Sequence, residues 1–112
     1  MDELRYEWDE RKNRANQRKH GVAFEEARTA FLDENARRAP DPDHSIGEDR
    51  YILVGLSIRL RLLVVCHSFR ESERIIRIIS ARKADPSERR DYARWLPCKS
   101  ATIFPSPTRI RI

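Results

Sequence analysis

Five side chains have types suited to cutting a phosphodiester: Lys19 and His20 at one turn, His67 and Arg77 inside apolar stretches, and Arg82 beyond them. Cleaving RNA without a metal needs a base for the 2′-hydroxyl proton, cations for the charge that builds on the phosphorane, and an acid for the departing 5′-oxygen. An imidazole can fill either proton role because it titrates near neutrality, so His20 and His67 are the candidate acid and base. Lys19, Arg77 and Arg82 are the candidate phosphate ligands, the arginines with a fork that matches two oxygens at once. Lys12, Asn16, Arg59, Arg61 and Lys83 are candidates to hold the RNA chain around them. Each residue also has a structural reading. His20 can close a helix, His67 can hydrogen-bond within a sheet, and Arg82 can bridge to an acid such as Glu25 or Glu26. Taken as a group, Lys19, His20 and Arg82 favour a site.

The elements that must position these residues are signalled at their ends. A first helix runs from about Asp9 to His20, with Asp9 and Glu10 at its positive end, Lys19 and His20 at its negative end and Gly21 as the stop. At helical spacing Trp8, Lys12, Ala15, Asn16 and Lys19 share its inward side, so Lys12 is expected to cover the core edge with its methylenes while its ammonium reaches water. A second helix, roughly Phe24 to Leu32, puts Phe24, Ala27 and Phe31 on one buried face. The Pro- and Asp-rich stretch 40–49 forbids a regular element, and its His44 reads as a solvated loop histidine.

Three strands follow at Arg50 to Leu56, Arg61 to Phe69 and Arg74 to Arg82, close enough for an antiparallel meander. Depending on register, either Cys66 or His67 stands opposite Arg77. The turns at 57–60 and 70–73 lack the glycine that tight hairpins favour, so longer turns are expected there, leaving the positions of Arg59 and Arg61 open. A last helix, Pro86 to about Trp95, is capped by Asp85 and docked by Tyr92 and Trp95. The fold class is therefore α+β: two N-terminal helices, an antiparallel sheet of three to four strands and one C-terminal helix. Residues 1–96 form the domain. Residues 97–112 are a basic, proline-containing tail whose end, Thr108 to Ile112, alternates like an edge strand.

The run from Trp8 through Asp9-Glu10, the basic helix, Lys19-His20-Gly21 and Phe24-Glu25-Glu26-Ala27 closely resembles the opening of the BrnT family, ribonuclease toxins of bacterial type II toxin–antitoxin systems. Leu62 to Val65, His67 to Glu71 and Ile76 to Ala84 resemble that family's later strands, so the resemblance covers most of residues 6–95. It implies a compact fold related to the RelE-type toxins, a metal-independent endoribonuclease that inhibits translation, and a cognate antitoxin of the BrnA type. Such an antitoxin is a ribbon-helix-helix protein, so DNA would be met only through it. RelE-related toxins often manage with Lys, Arg and Tyr, so the want of a clear His–His pair is compatible with the activity.

Composition sets the outer bounds. A chain of 112 residues supports one small domain with a thin core and at most one cleft. A net charge of +5 with pI near 9.7 suits a polyanionic partner, and a basic antitoxin-covered cleft would associate in a salt-sensitive way. Cys66 and Cys98 stand far apart without metal-ligand spacing, so neither zinc, another metal, a cofactor nor a disulfide framework is indicated. No leader is evident, and the longest apolar run, Leu62 to Cys66, is too short to span a bilayer, which points to the cytoplasm. Gly-rich phosphate loops and the GxSxG and HExxH motifs do not occur. The competing reading is a non-catalytic module that binds nucleic acid or protein through the same basic surface.

Overall fold

The computed structural model describes residues 4–41, 49–70 and 74–96. The expectations for His44, for most of the turn at 70–73 and for the tail 97–112 lie outside those residues. In chain order the elements are β1 (Arg5–Glu7), α1 (Glu10–His20), α2 (Phe24–Thr29) with a 3-10 turn (Ala30–Leu32), β2 (Arg37–Pro40), β3 (Tyr51–Leu56), β4 (Leu62–Arg70), β5 (Ile75–Lys83) and α3 (Pro86–Trp95). The strands make one five-stranded sheet in the order β1-β5-β4-β3-β2. It is a mixed sheet, because β1 runs parallel to β5 while the other pairings are antiparallel.

The parallel β1–β5 pairing corrects the expectation of a wholly antiparallel sheet, and three further expectations about the fold need correction. The sheet has five strands rather than three or four, since β1 and β2 are only three and four residues long and carry no apolar alternation. A strand precedes the first helix. The second helix ends at Thr29 and tightens into the 3-10 turn instead of running on to Leu32.

The sheet separates two apolar layers. Val22, Phe24, Ala27 and Ala30 of the α2 region pack with Leu53, Leu63, Val65, Ile76, Ile78 and Ala81 on one face. Tyr92 of α3 packs with Leu62, Val64 and Ala84 on the other. Alternation along β4 explains the division, odd positions facing α2 and even positions facing α3. Close contact between layers requires Gly55, where a Cβ would lie 2.7 Å from the Ala30 carbonyl oxygen.

Register between β4 and β5 follows neither expected alternative: Ser68, not Cys66 or His67, stands opposite Arg77. Further along, Cys66 pairs with Ser80 while His67 pairs with Ile78, so Ile79 is an extra residue in β5. Such a bulge resets the alternation. Arg77 and Arg82, five positions apart, would otherwise point to opposite faces; opposite Ser68 and Val64 they share the face that α3 partly covers.

The hairpin from β3 to β4 is also tighter than its lack of glycine suggests. The Ser57 N–H donates to the Arg61 carbonyl and the Leu60 N–H to that of Ser57, each at 2.8 Å. Leu60 supplies the left-handed conformation itself, at φ 65°.

A basic cleft as candidate active site

Helix α1 is fixed at both ends by its own sequence. The Asp9 carboxylate accepts from the Arg11 N–H at 2.8 Å, and Gly21, at φ 72°, turns its N–H onto the Gln17 carbonyl. Its inward face matches the expected one at Asn16 but otherwise differs. Asn13 and Asn16 are buried, while Lys12, Ala15 and Lys19 are exposed. Asparagines can turn inward here because every polar atom is matched. Asn16 donates to the carbonyls of Val22 and Ala81, each at 2.8 Å, and accepts from the Ala81 N–H at 3.2 Å. It thus pairs with β5 as a neighbouring strand would, pinning α1 to the sheet one turn before His20. Asn16 is a structural residue in this arrangement and is not positioned as an RNA ligand.

Beyond that contact a cleft of about 380 Å³ opens, lined by His20, Asp41, Arg50, Ile52, Val64, Cys66, Ile79, Ser80, Ala81 and Arg82. The bulge at Ile79 places Ser80 and Arg82 in it together. Arg82 is held by α3: its Nη1 and Nη2 donate to the two carboxylate oxygens of Glu88 at 2.9 and 2.8 Å. The same Glu88 accepts from the Asp85 N–H in a capping box that starts the helix. The Arg82 fork is therefore oriented by the fold, and Glu88, rather than Glu25 or Glu26, is the acid it meets. Their hydrogen bonds hold the Glu88 carboxyl below the usual range and the Arg82 guanidinium above it. Among the described residues no protein acceptor meets Arg82 Nε, the edge that stays available to a phosphate.

Of the sequence-derived candidates, the cleft unites His20 and Arg82, with Lys19 and Lys83 exposed next to them in the chain. It does not include the others. His67 lies on the opposite face, fully buried among Phe31, Tyr51 and Phe69. Its Nδ1 meets the Val65 carbonyl at 3.1 Å, and among the described residues its Nε2 has no partner. Burial, assisted by the charge of Arg38, pushes its pKa down to about 4. A side chain so enclosed reaches no RNA.

Arg77 lies toward the far end of β5, paired with Glu7 at 3.1 Å, and the same carboxylate meets Arg70 at 3.3 Å. Arg61 is turned inward onto buried Glu26, its Nε donating at 2.9 Å, with a further bond to the Gly21 carbonyl at 3.1 Å. That pairing holds the Glu26 carboxyl below its ordinary range. Arg59 remains exposed, 4.0 Å from Glu26, and Lys12 points to water on α1. Sequence reasoning missed Arg50, Ser80, Cys66 and Asp41. A Ser80-x-Arg82 spacing on a strand was a signal for Ser80 alone.

The architecture and site together define a small basic α+β protein with a histidine–arginine cleft beside the bulged strand of a mixed sheet. The profile described as ribonuclease toxin, BrnT, of type II toxin–antitoxin system matches residues 8–88, and the chain belongs to that family. A solved structure with a similar fold is the ribonuclease toxin BrnT of Brucella abortus, at 22% identity and a TM-score of 0.56, covering 76% of this chain and 99% of that one. No curated protein matches the chain. Membership brings with it a general expectation of an RNA target and a protein antitoxin. Among the described residues no helix is long and apolar enough to cross a membrane.

Proposed function

We propose that the chain is a metal-independent endoribonuclease whose reaction centre is the cleft between His20 and Arg82. The observation that carries this reading is their convergence: residues from the end of α1 and from β5 line one concave surface with Arg50 and Ser80. In the reaction His20 carries one of the two proton transfers, taking the 2′-hydroxyl proton or protonating the departing 5′-oxygen, and solvent water carries the other. Arg82, steadied by Glu88, stabilises the phosphorane through its remaining donors. Lys19 and Lys83 bind flanking phosphates from the rim. A 2′-hydroxyl attack of this kind leaves a 2′,3′-cyclic phosphate and a 5′-hydroxyl, and cleavage of cellular RNA would inhibit translation. The neutralising partner is a BrnA-type ribbon-helix-helix antitoxin that covers the cleft and supplies the only route to DNA. The working compartment is the cytoplasm.

The Glu88 pair favours a second reading, in which Arg82 is wholly structural and the surface only binds. Substituting Arg82 by Ala separates the two. RNA cleavage and toxicity are expected to fall by about a hundredfold or more with circular dichroism unchanged. A variant that cleaves at the wild-type rate when equally expressed would remove Arg82 from the site.

A further inference from the structure

Among the described residues strand β2 is the outermost of the sheet, with β3 as its neighbour, and all four of its residues are exposed. The Asp41 N–H donates to the Arg50 carbonyl at 2.8 Å, which sets the phase of the ladder. In antiparallel pairing, hydrogen-bonded pairs alternate with open ones. Ala39–Ile52 and Arg37–Val54 are therefore bonded pairs, while Arg38 and Pro40 turn their backbone groups outward. Pro40 has no N–H to leave unmet, as befits an edge position. The outward edge of β2 thus offers the Arg38 N–H and the carbonyls of Arg38 and Pro40.

Beside this edge lies an open groove of about 470 Å³, lined by β2 together with Ile52, Val54 and Trp95. Two guanidinium groups flank it. Arg37 sits over the Trp95 ring at 5.2 Å and donates to the Trp95 carbonyl at 3.4 Å. On the other face Arg38 lies 4.9 Å from the Phe69 ring centre and 5.6 Å from that of Tyr51. Stacking holds each arginine against its aromatic partner while the residue stays exposed. The edge therefore presents backbone groups in a line, an apolar floor and one positive charge for each face of an incoming strand.

We propose that β2 is a docking edge for an extended acidic segment of the antitoxin, which adds a sixth strand to the sheet and places carboxylates against Arg37 and Arg38. Charge complementarity selects this occupant. A second copy of the chain would bring the same two arginines, and the chain's own last residues carry Arg109 and Arg111 and no acid. Ile52 lines both this groove and the His20–Arg82 cleft, and Asp41, which follows Pro40, lies in the cleft. A strand on β2 therefore leads into the site it would block. The inference rests on the antitoxin part of the proposed function and is independent of RNA cleavage.

The test uses the full chain and a fluorescent eight-residue peptide of alternating Glu and Val, beside its Lys–Val counterpart, with RNA cleavage measured in parallel. Binding of the acidic peptide alone is expected, with new exchange protection at the Arg38 amide. Arg38→Pro, which removes the outward donor, and Arg37→Glu/Arg38→Glu are each expected to weaken binding at least tenfold, with RNA cleavage at the wild-type rate. A Glu–Val peptide N-methylated at alternate residues gives the same backbone test without altering the protein, and should not bind. Unchanged affinity in Arg38→Pro or for the methylated peptide overturns the proposal. So does an Arg38 amide already protected in the free monomer, which would mean that the chain's own end occupies the edge. A dimer that Arg38→Pro dissociates overturns it in favour of a second copy. Peptide binding without RNA cleavage supports the proposal and sinks the ribonuclease reading instead.

Discussion

Lowering the pH from 7 to 5 is expected to weaken this fold by about 2 kcal/mol through a single side chain, His67. The imidazole is fully buried, with Nδ1 on the Val65 carbonyl and Nε2 unpartnered among the described residues, and its pKa falls to about 4 from an ordinary 6.5. The native state therefore keeps it neutral while the unfolded chain takes up a proton as the pH drops through about 6.5. Between those two values the unfolded state binds more protons, so stability declines as pH falls and levels off below about 4. The full difference is about 3.4 kcal/mol, of which about 2 kcal/mol lies between pH 7 and 5. Glu26 and Glu88, whose carboxyls are held low by Arg61 and Arg82, lose their contribution only as pH falls through their depressed values, below this window. Urea unfolding followed by tryptophan fluorescence at both pH values, wild type beside His67→Phe, measures the effect. The variant removes the titrating group, keeps an aromatic ring among Phe31, Tyr51 and Phe69, and should lose almost nothing between the two conditions. Equal loss in wild type and variant would refute the reasoning, placing the proton uptake elsewhere.

Three further substitutions probe the framework around the cleft. Leu60→Gly should stabilise the chain by about 0.5–1 kcal/mol, because it relieves a left-handed backbone at φ 65° while giving up a side chain that is 77% exposed; a lower urea midpoint would contradict this. Arg61→Ala should destabilise by about 2–3 kcal/mol, since among the described residues it leaves the buried Glu26 carboxylate with only Ser57 as a close hydrogen-bond partner. Adding Glu26→Gln should recover part of that loss, and a double mutant as weak as the sum of its singles would argue against the pairing. Asn16→Ala should cost about 2–3 kcal/mol by stripping partners from the backbone of Val22 and Ala81. Hydrogen exchange should show the loss concentrated where α1 meets β5, and an unchanged Ala81 amide would oppose it.

What could be read in advance divides by how local its cause is. The bounds of α1 and α3 were legible because Asp9, Gly21, Asp85 and Pro86 act within a turn of the ends they set. Strands β1 and β2 were not, because so few residues show no periodicity and each is made a strand by a partner distant in sequence. The inward face of α1 was only partly legible. Asn16 falls on the expected side, but Asn13 was left out of it because hydropathy ranks asparagine as an outward residue. Asn13 turns in because Glu10, Glu25 and the Phe24 N–H meet its amide. What the helical spacing did not show for Asn16 was its partner, the Ala81 backbone. His20 and Arg82 were legible as a pair by residue type, and Ser80 shares the face of Arg82 by strand alternation, but the bulge at Ile79 that turns both onto the α3 side depends on register, which no single-strand pattern encodes. His67 and Arg61 have the right chemistry in the wrong surroundings: one sealed among aromatic rings, the other spent on a buried carboxylate. The candidate cleft thus keeps a few of the sequence candidates, chosen by the sheet, and adds neighbours that residue type alone did not single out.

The central claim is that a Lys-His turn and a strand arginine form a ribonuclease centre. Its most direct test is cleavage of end-labelled RNA by the purified chain in EDTA, wild type beside Lys19→Ala/His20→Ala, with analysis of the product ends. Fragments ending in 2′,3′-cyclic phosphate from the wild type, lost in a variant with an unchanged circular dichroism spectrum, are the predicted result. Equal cleavage by both proteins, or RNA left intact by the folded, antitoxin-free wild type with and without ribosomes, would contradict it.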